Sequence, residues 1–319
     1  MGGDHAPEAV VEGCSLAARE LGCEVTVVGR PDQVRPLLAG RPELRFEAAS
    51  QVIEMTDHPA QAARAKKDSS MAVCARLCKE GQADGWTSAG NSGAILAVAL
   101  FVQGRVRGIE RPALGSVVPT RDGLAYFLDV GANADCRPEW LVQFAHMGAV
   151  YATSMLGRAL PRVALLSNGE EPGKGNALVK EVQEILAADG QQRFRYVGNV
   201  EGKDIFAGAA DVVVADGFVG NVAIKMAEAT AEFLLRTLRE ELPRSPVSAL
   251  GGLLIKGRVG EIRARIDWRE FGGAPLLGID GVAVVAHGRS DARAVRNAIR
   301  VARDAVEQGL VEKIREAAA

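Results

Sequence analysis

The sequence predicts a three-layer α/β/α fold, a mostly parallel sheet covered by helices on both faces. Three observations carry that prediction. Short runs rich in valine and leucine alternate with longer helical patterns, and one hairpin signal interrupts them. No internal repeat, low-complexity tract or Pro/Ser-rich linker divides the 319 residues. A single α/β/α unit over residues 1–319 is therefore expected, with a helical region protruding after residue 220.

The strand-like runs are 24–28, 44–48, 162–166, 195–197, 211–215 and 281–286, each short, apolar and bounded by turn residues. Helical patterns fill 59–80, 91–102, 139–156, 178–188 and 221–242. In the last, Val222, Met226, Ala229, Phe233, Thr237 and Leu238 fall close to one stripe at helical spacing. Residues 113–119 and 124–130, joined by Thr120-Arg-Asp-Gly123, read as a β-hairpin.

Composition narrows the class. Charged residues make up 24% and apolar ones 48%, ordinary globular usage that argues against disorder. A formal net charge of −2 gives no global attraction to nucleic acid or acidic lipid. No apolar run approaches the ~20 residues of a membrane-spanning helix. Residues 1–20 lack the basic start and apolar block of a signal peptide. The cysteines at 14, 23, 74, 78 and 136 form no CxxC and no Cys/His cluster, so reduced core thiols of a cytosolic protein are expected.

The asparagines are more informative. Of seven, six lie within two residues of a glycine in a strand-to-helix loop: Asn91, Asn133, Asn168, Asn176, Asn199 and Asn221. In a parallel sheet such loops open beyond the carboxyl ends of the strands, where ligands bind. Glycine lets backbone N–H groups approach an anion, and a following helix N-terminus adds about half a positive charge. Six such loops meeting on one edge point to an anion site rather than to turn chemistry alone.

The anion is small. A nucleotide P-loop needs GxxxxGK followed by Ser or Thr, whereas Gly169 to Gly173 is one residue too short and Gly175 follows Lys174. No GxGxxG, HExxH or GxSxG occurs.

The strings MGGDHAPE (1–8), SAGNSGA (88–94), DVGAN (129–133), PEWLVQFAHMG (138–148), NGEEPGKGN (168–176), GNVEG (198–202), DVVVADGFVGN (211–221), GGAPLLG (272–278) and AHG (286–288) occur in this order. Together they resemble the bacterial phosphate acyltransferase family (PlsX). The resemblance spans nearly the whole chain. It implies reversible transfer of a fatty acyl group from acyl carrier protein to inorganic phosphate, giving acyl phosphate for phospholipid synthesis. It also implies an isocitrate/isopropylmalate dehydrogenase-like fold, a homodimer, and a cytoplasmic protein in loose contact with the inner face of the membrane. A membrane glycerol-3-phosphate acyltransferase would act downstream. Family members begin with a short strand ending in Asp-Ala before MGGDHAP, while this sequence starts at Met1; Ser92 and Arg289 stand where Thr and Ser are commoner.

That reaction requires no cofactor and no metal. Phosphate is already nucleophilic near pH 7, and a thiol with pKa ~8.5 leaves readily as thiolate. Proximity and oxyanion donors are what the protein must supply. Lys174 is expected to hold phosphate, beside the amides of Gly173 and Gly175. Asn91 and Ser92 line the phosphate or oxyanion pocket, with Asn133, Asn168, Asn176 and Asn199 in the neighbouring loops. Asp216 and Asn221 orient phosphate or water, with Lys225 one turn further. His5, after Asp4, is the candidate for proton handling, and His287 a second.

After residue 240, an apolar stretch (247–255) precedes Lys256, Arg258, Arg263 and Arg265. These cations are expected to dock the acidic acyl carrier protein by steering encounter, and the apolar stretch to touch lipid or a second subunit. Two other functions stay open: transfer between acetyl-type phosphates and coenzyme A, and a non-catalytic phosphate- or acyl-binding protein.

Overall fold

The computed structural model describes residues 1–190 and 193–318. In chain order its elements are α1 (Glu8–Leu21), β1 (Val25–Gly29), α2 (Pro31–Val34), β2 (Leu44–Ala48), α3 (Pro59–Ala65), α4 (Ser70–Lys79), β3 (Gly85–Ser88) and α5 (Ser92–Val102). Then follow β4 (Ala113–Thr120), β5 (Gly123–Leu128), α6 (Pro138–Leu156), β6 (Arg162–Leu166), α7 (Ala177–Ala188), β7 (Arg195–Val200), α8 (Gly202–Ala207) and β8 (Val212–Val214). The chain closes with α9 (Gly217–Glu241), α10 (Pro246–Ile266), α11 (Trp268–Phe271), β9 (Ala274–Leu277), β10 (Val282–Val285), α12 (Ala292–Glu307) and α13 (Leu310–Ala317).

Eight strands form one sheet in the order β3-β10-β9-β4-β5-β8-β6-β7, and β1 pairs with β2 separately. Four of the seven pairings in the eight-stranded sheet are parallel, so it is mostly parallel as expected. Alternation along β5 shows the layers. Tyr126 and Leu128 enter the core under α6, α12 and α13, while Ala125 and Phe127 enter the opposite core with Ile205 of α8. The free edges of β1 and β3 face each other across a cavity of about 520 Å³ lined by Val25–Val28, Gly85–Ala89 and Met1.

Strand direction corrects one expectation. Because β9 and β4 each pair antiparallel with both neighbours, β3 and β10 run opposite to β5, β8, β6 and β7. The loop carrying Asn91 therefore leaves the opposite edge of the sheet from those carrying Asn133, Asn168, Asn176, Asn199 and Asn221. One common edge does not exist.

Local chemistry explains other differences. The helix expected over 59–80 is broken: Ser69 caps α4 by accepting from Ala72 N (3.4 Å), and Asp68 turns aside to accept from Ser50 N (2.9 Å) and Oγ (2.6 Å). The stripe on α9 is not core. Only Gly217 and Gly220 of that helix are buried, and Phe218, Val222, Met226 and Phe233 are each more than half exposed. Residues after 220 do project from the sheet, as α9 followed by α10, which buries no residue.

One ion pair fastens the parallel half. Asp211, at the start of β8, accepts from Arg162 N (2.9 Å), Nε (3.0 Å) and Nη2 (3.2 Å). Burial pushes its pKa up, but the Arg162 donors outweigh this and the net shift is down. A carboxylate held below its unfolded value adds stability above that value, and the contribution fades as pH falls through the folded pKa. Asp211→Asn is expected to lower stability at pH 7 by about 2 kcal/mol. The difference from the parent should shrink in melts taken below the ordinary aspartate pKa of about 3.9, as pH falls toward the lowered folded value.

Candidate active site

The site is built from the ends of β5, β8 and β6, which are neighbours in the sheet with Leu128 and Leu165 both paired to Val214. Three loops leave this edge together.

The loop after β6 closes on itself. Asn168 Oδ1 accepts from Gly175 N (2.9 Å), and Asn199 Nδ2, at the end of β7, donates to the carbonyls of Glu171 and Lys174 (both 3.4 Å). Asn176 caps α7 through Val179 N (2.9 Å), and Gly173 N donates to Gln183 Oε1 (3.2 Å). Gly175 has φ +103°, and a Cβ there would lie 2.6 Å from Val179 Cγ1, so only glycine fits. Lys174 is exposed at the centre of this frame. Of the two acids in the loop, Glu170 pairs with Lys203 (3.1 Å), and Glu171 lies beside Gly169 with the stem of Lys174 but makes no ion pair with its ammonium. Among the described residues Lys174 has no ion-pair partner.

The loop after β5 is wound around Asp129, a residue with no exposed surface. Its carboxylate accepts from the backbone N of Leu114, Gly131, Ala132 and Asn133, and from Asn133 Nδ2, at 2.8–3.2 Å. Burial raises the Asp129 pKa against the pull of these donors. Asn133 Nδ2 also donates to Pro112 O (2.8 Å). The third loop, after β8, starts α9. There Asp216 caps the helix by accepting from Phe218 N (3.0 Å) and Val219 N (2.8 Å), and Asn221 Nδ2 donates to Val130 O (3.1 Å). Cys136 lies beside this loop, its Sγ donating to Asn133 O (3.4 Å), and burial pushes the thiol up to about 12. It is protonated at neutral pH and a poor nucleophile.

On the opposite edge, the ends of β3 and β10 meet the N-terminal loop. Asp4 N donates to Gly288 O (2.8 Å), and Asp4 and His5 are exposed. Asn91 caps α5 through Ala94 N (3.1 Å) while its Nδ2 holds the carbonyls of Met55 and Asp57 (both 3.2 Å); Ser92 beside it is exposed. His287 Nδ1 accepts from Arg289 N (3.1 Å), which places its proton on Nε2, and its ring lies 4.9 Å from that of Trp268. Burial first, then Arg289 and Lys225, lower its pKa, so the ring is neutral at pH 7.

The two edges are linked by α9. Lys225 is close enough to act on His287, and Glu232 pairs with Arg289 at 3.7 Å. The structure thus groups Lys174, Asp216 and Asn221 with Asn133, Asn168, Gly173, Gly175, Asn176 and Asn199. It sets Asp4, His5, Asn91, Ser92 and His287 apart, with Lys225 between. The asparagine side chains mostly hold loop backbone, leaving Lys174 and Lys225 as exposed cations.

The basic residues of α10 do not form one face. Lys256 and Arg263 are seven residues apart on one side, while Arg258 and Arg265 lie on the other, about 180° away at 100° per residue. Arg258 already pairs with Glu261 (2.9 Å). Arg265 lines a cavity of about 480 Å³ with Arg121 and Phe271, against the hairpin turn. Sequence reasoning missed Asp129 and Trp268; the only signal for Asp129 was an acid ending an apolar strand before Gly-Ala-Asn.

Glycine-rich loops around an exposed lysine, with no nucleophilic triad among the described residues, suit transfer of a group to or from a small oxyanion. Residues 1–313 match the family described as "Fatty acid synthesis protein". The phosphate acyltransferase of Heliobacterium modesticaldum is 48% identical over 324 residues, covering 99% of this chain and 95% of that one. Among solved structures, a phosphotransacetylase from Streptococcus pyogenes superposes with TM-score 0.64 at 17% identity, covering 95% of this chain and 92% of its own. A putative 4-hydroxythreonine-4-phosphate dehydrogenase from Salmonella typhimurium does so with TM-score 0.54 at 13% identity, covering 92% and 94%. These two likenesses establish the fold. The near-complete match in sequence establishes more: the chain belongs to the bacterial phosphate acyltransferase family and is a transferase.

Proposed function

We propose that this chain moves a fatty acyl group from acyl carrier protein to inorganic phosphate, forming acyl phosphate for glycerophospholipid synthesis. The observation that carries the proposal is Lys174, a cation without an ion-pair partner among the described residues, in a glycine-rich loop closed by its own hydrogen bonds. A phosphate oxygen attacks the thioester carbon, the tetrahedral oxyanion collapses, and the carrier thiolate leaves. The new bond is C–O, the broken one C–S, and no external base is required. Lys174 holds the phosphate. Asn221 keeps one N–H after bonding Val130 O, and that donor faces the oxyanion. Holding two reactants together supplies about 7–11 kcal/mol of such a barrier.

The whole chain, residues 1–319, acts as one α/β/α unit. Val247, Leu253 and Leu254 on α10 are exposed by 83%, 67% and 78%, more apolar surface than a free helix tolerates. A homodimer contact, with peripheral attachment to the inner membrane face, accounts for it. None of the described helices is long and apolar enough to cross a membrane. Acyl phosphate then passes to a membrane glycerol-3-phosphate acyltransferase from a cytoplasmic enzyme.

Offering the protein phosphate with either long-chain acyl carrier protein or acyl coenzyme A, and trapping acyl phosphate with hydroxylamine, tests the donor. Faster product from the carrier protein is expected. Product from short acyl coenzyme A alone would identify a phosphotransacetylase-like enzyme, and none from either a binding protein. Arg258→Glu with Arg265→Glu should raise KM for the carrier protein about tenfold at low salt and leave kcat unchanged. An unchanged KM moves docking elsewhere.

A further inference from the structure

We propose that Asp129 is the positioning residue of this transfer, a buried carboxylate that sets the base of α9 and with it Asp216, Asn221 and Lys225. The inference rests on the acyl-transfer reading above and assigns a group that the chemistry itself does not touch.

The geometry is specific. Five N–H groups converge on the two carboxylate oxygens, four from backbone and one from Asn133. Among the described residues no cation pairs with it. An unpaired buried charge is costly unless hydrogen bonds replace its water, and here the loop provides them by curling over the carboxylate. That curl is the surface on which α9 is seated. Gly217 N donates to Asn133 O (2.7 Å), Asn221 Nδ2 donates to Val130 O (3.1 Å), and Asp129 N donates to Ala215 O (3.0 Å). Gly217 and Gly220 have no side chain because a Cβ would lie 2.9 Å from Asp129 Oδ2 and 1.8 Å from Asp129 O. Asn221 packs over Gly131, where a Cβ would lie 2.5 Å from Asn221 Nδ2. Asp129 therefore fills the anion-binding curl itself, which leaves phosphate to the Lys174 loop.

The test uses Asp129→Asn, which keeps shape and puts an amide NH₂ against N–H donors. Turnover should fall about 100-fold, the scale of a 1 Å misplacement. KM values for phosphate and for acyl donor should stay within about threefold while calorimetry shows the variant fully folded at the assay temperature, which separates the loss from a smaller folded fraction. The loss should also fail to multiply with that of Asn221→Ala, since both act at one point. Asn133→Ala, which removes the one side-chain donor to the carboxylate and leaves the four backbone donors in place, should reproduce the split at smaller size and decides the matter if Asp129→Asn does not fold. Normal turnover in Asp129→Asn, or in Asn133→Ala where that variant must stand in, overturns the positioning role, as does a fully multiplicative double variant. Normal turnover in Asn221→Ala instead removes Asn221 from the proposed site, so the two failures are read on separate proteins.

Discussion

Alanine in place of Lys174 is expected to cut acyl phosphate formation by about 10²–10³-fold while leaving the melting temperature nearly unchanged. The size follows from losing the charged contact that holds and aims the nucleophilic phosphate, a loss of about 3–4 kcal/mol. Thermal indifference follows from the structure: the side chain is exposed, and the loop is closed by Asn168, Asn199 and Gln183 rather than by the lysine. Initial rates against phosphate concentration should show KM for phosphate rising, from the lost binding contact, and kcat falling, because phosphate that still binds is no longer aimed at the thioester. Arginine at 174 should recover part of the rate, since charge is kept but the compact head is lost. A variant with normal rates, or one that melts early, assigns Lys174 to solvent or to scaffold.

The largest stability effect is expected at Gly220. Its missing Cβ would stand 1.8 Å from the Asp129 carbonyl oxygen, and that backbone is held on both sides, Asp129 N donating to Ala215 O and Val130 N to Leu114 O. No rotamer relieves such a contact, so Gly220→Ala must lift α9 from the β5 loop. Overpacking against movable side chains costs about 1–3 kcal/mol, and a backbone clash lies at or above that range. Calorimetry should show a melting temperature several degrees lower together with loss of turnover. Gly251, in the projecting part of α10 with nothing within 4 Å of a Cβ, provides the control, where alanine should be neutral or stabilising. Equal melting of the two variants would mean that α9 is not seated as described.

Much of the fold was legible in period and punctuation. β6 begins and ends where its valine- and leucine-rich run does, because a strand buried on a parallel sheet carries its burial in composition, and the bounds of β2 match as well although none of its residues is buried. β3 and β9 escaped notice. Gly85-Trp-Thr-Ser is four residues long, and Pro275 within β9 argues locally against a strand that only its neighbours stabilise. Strand direction was legible only in the β4–β5 hairpin; β9, antiparallel to both its neighbours, leaves no local mark, and its insertion is what separated Asn91 and His287 from Lys174. The asparagines were visible as loop residues, but whether an amide faces a ligand or a carbonyl is decided in three dimensions. Asp129 was hidden for a related reason: in sequence it is one acid among many, and only burial beneath five donors marks it.

The placement of phosphate can be read directly by titrating the ion into ¹⁵N-labelled protein and mapping amide shifts. Saturable shifts should cluster in residues 167–176 and 215–221, and should vanish in Lys174→Ala while the rest of the spectrum is unchanged. Shifts confined to the Gly2–His5 and Ala286–Arg289 loops, or surviving intact without Lys174, would contradict the site described here.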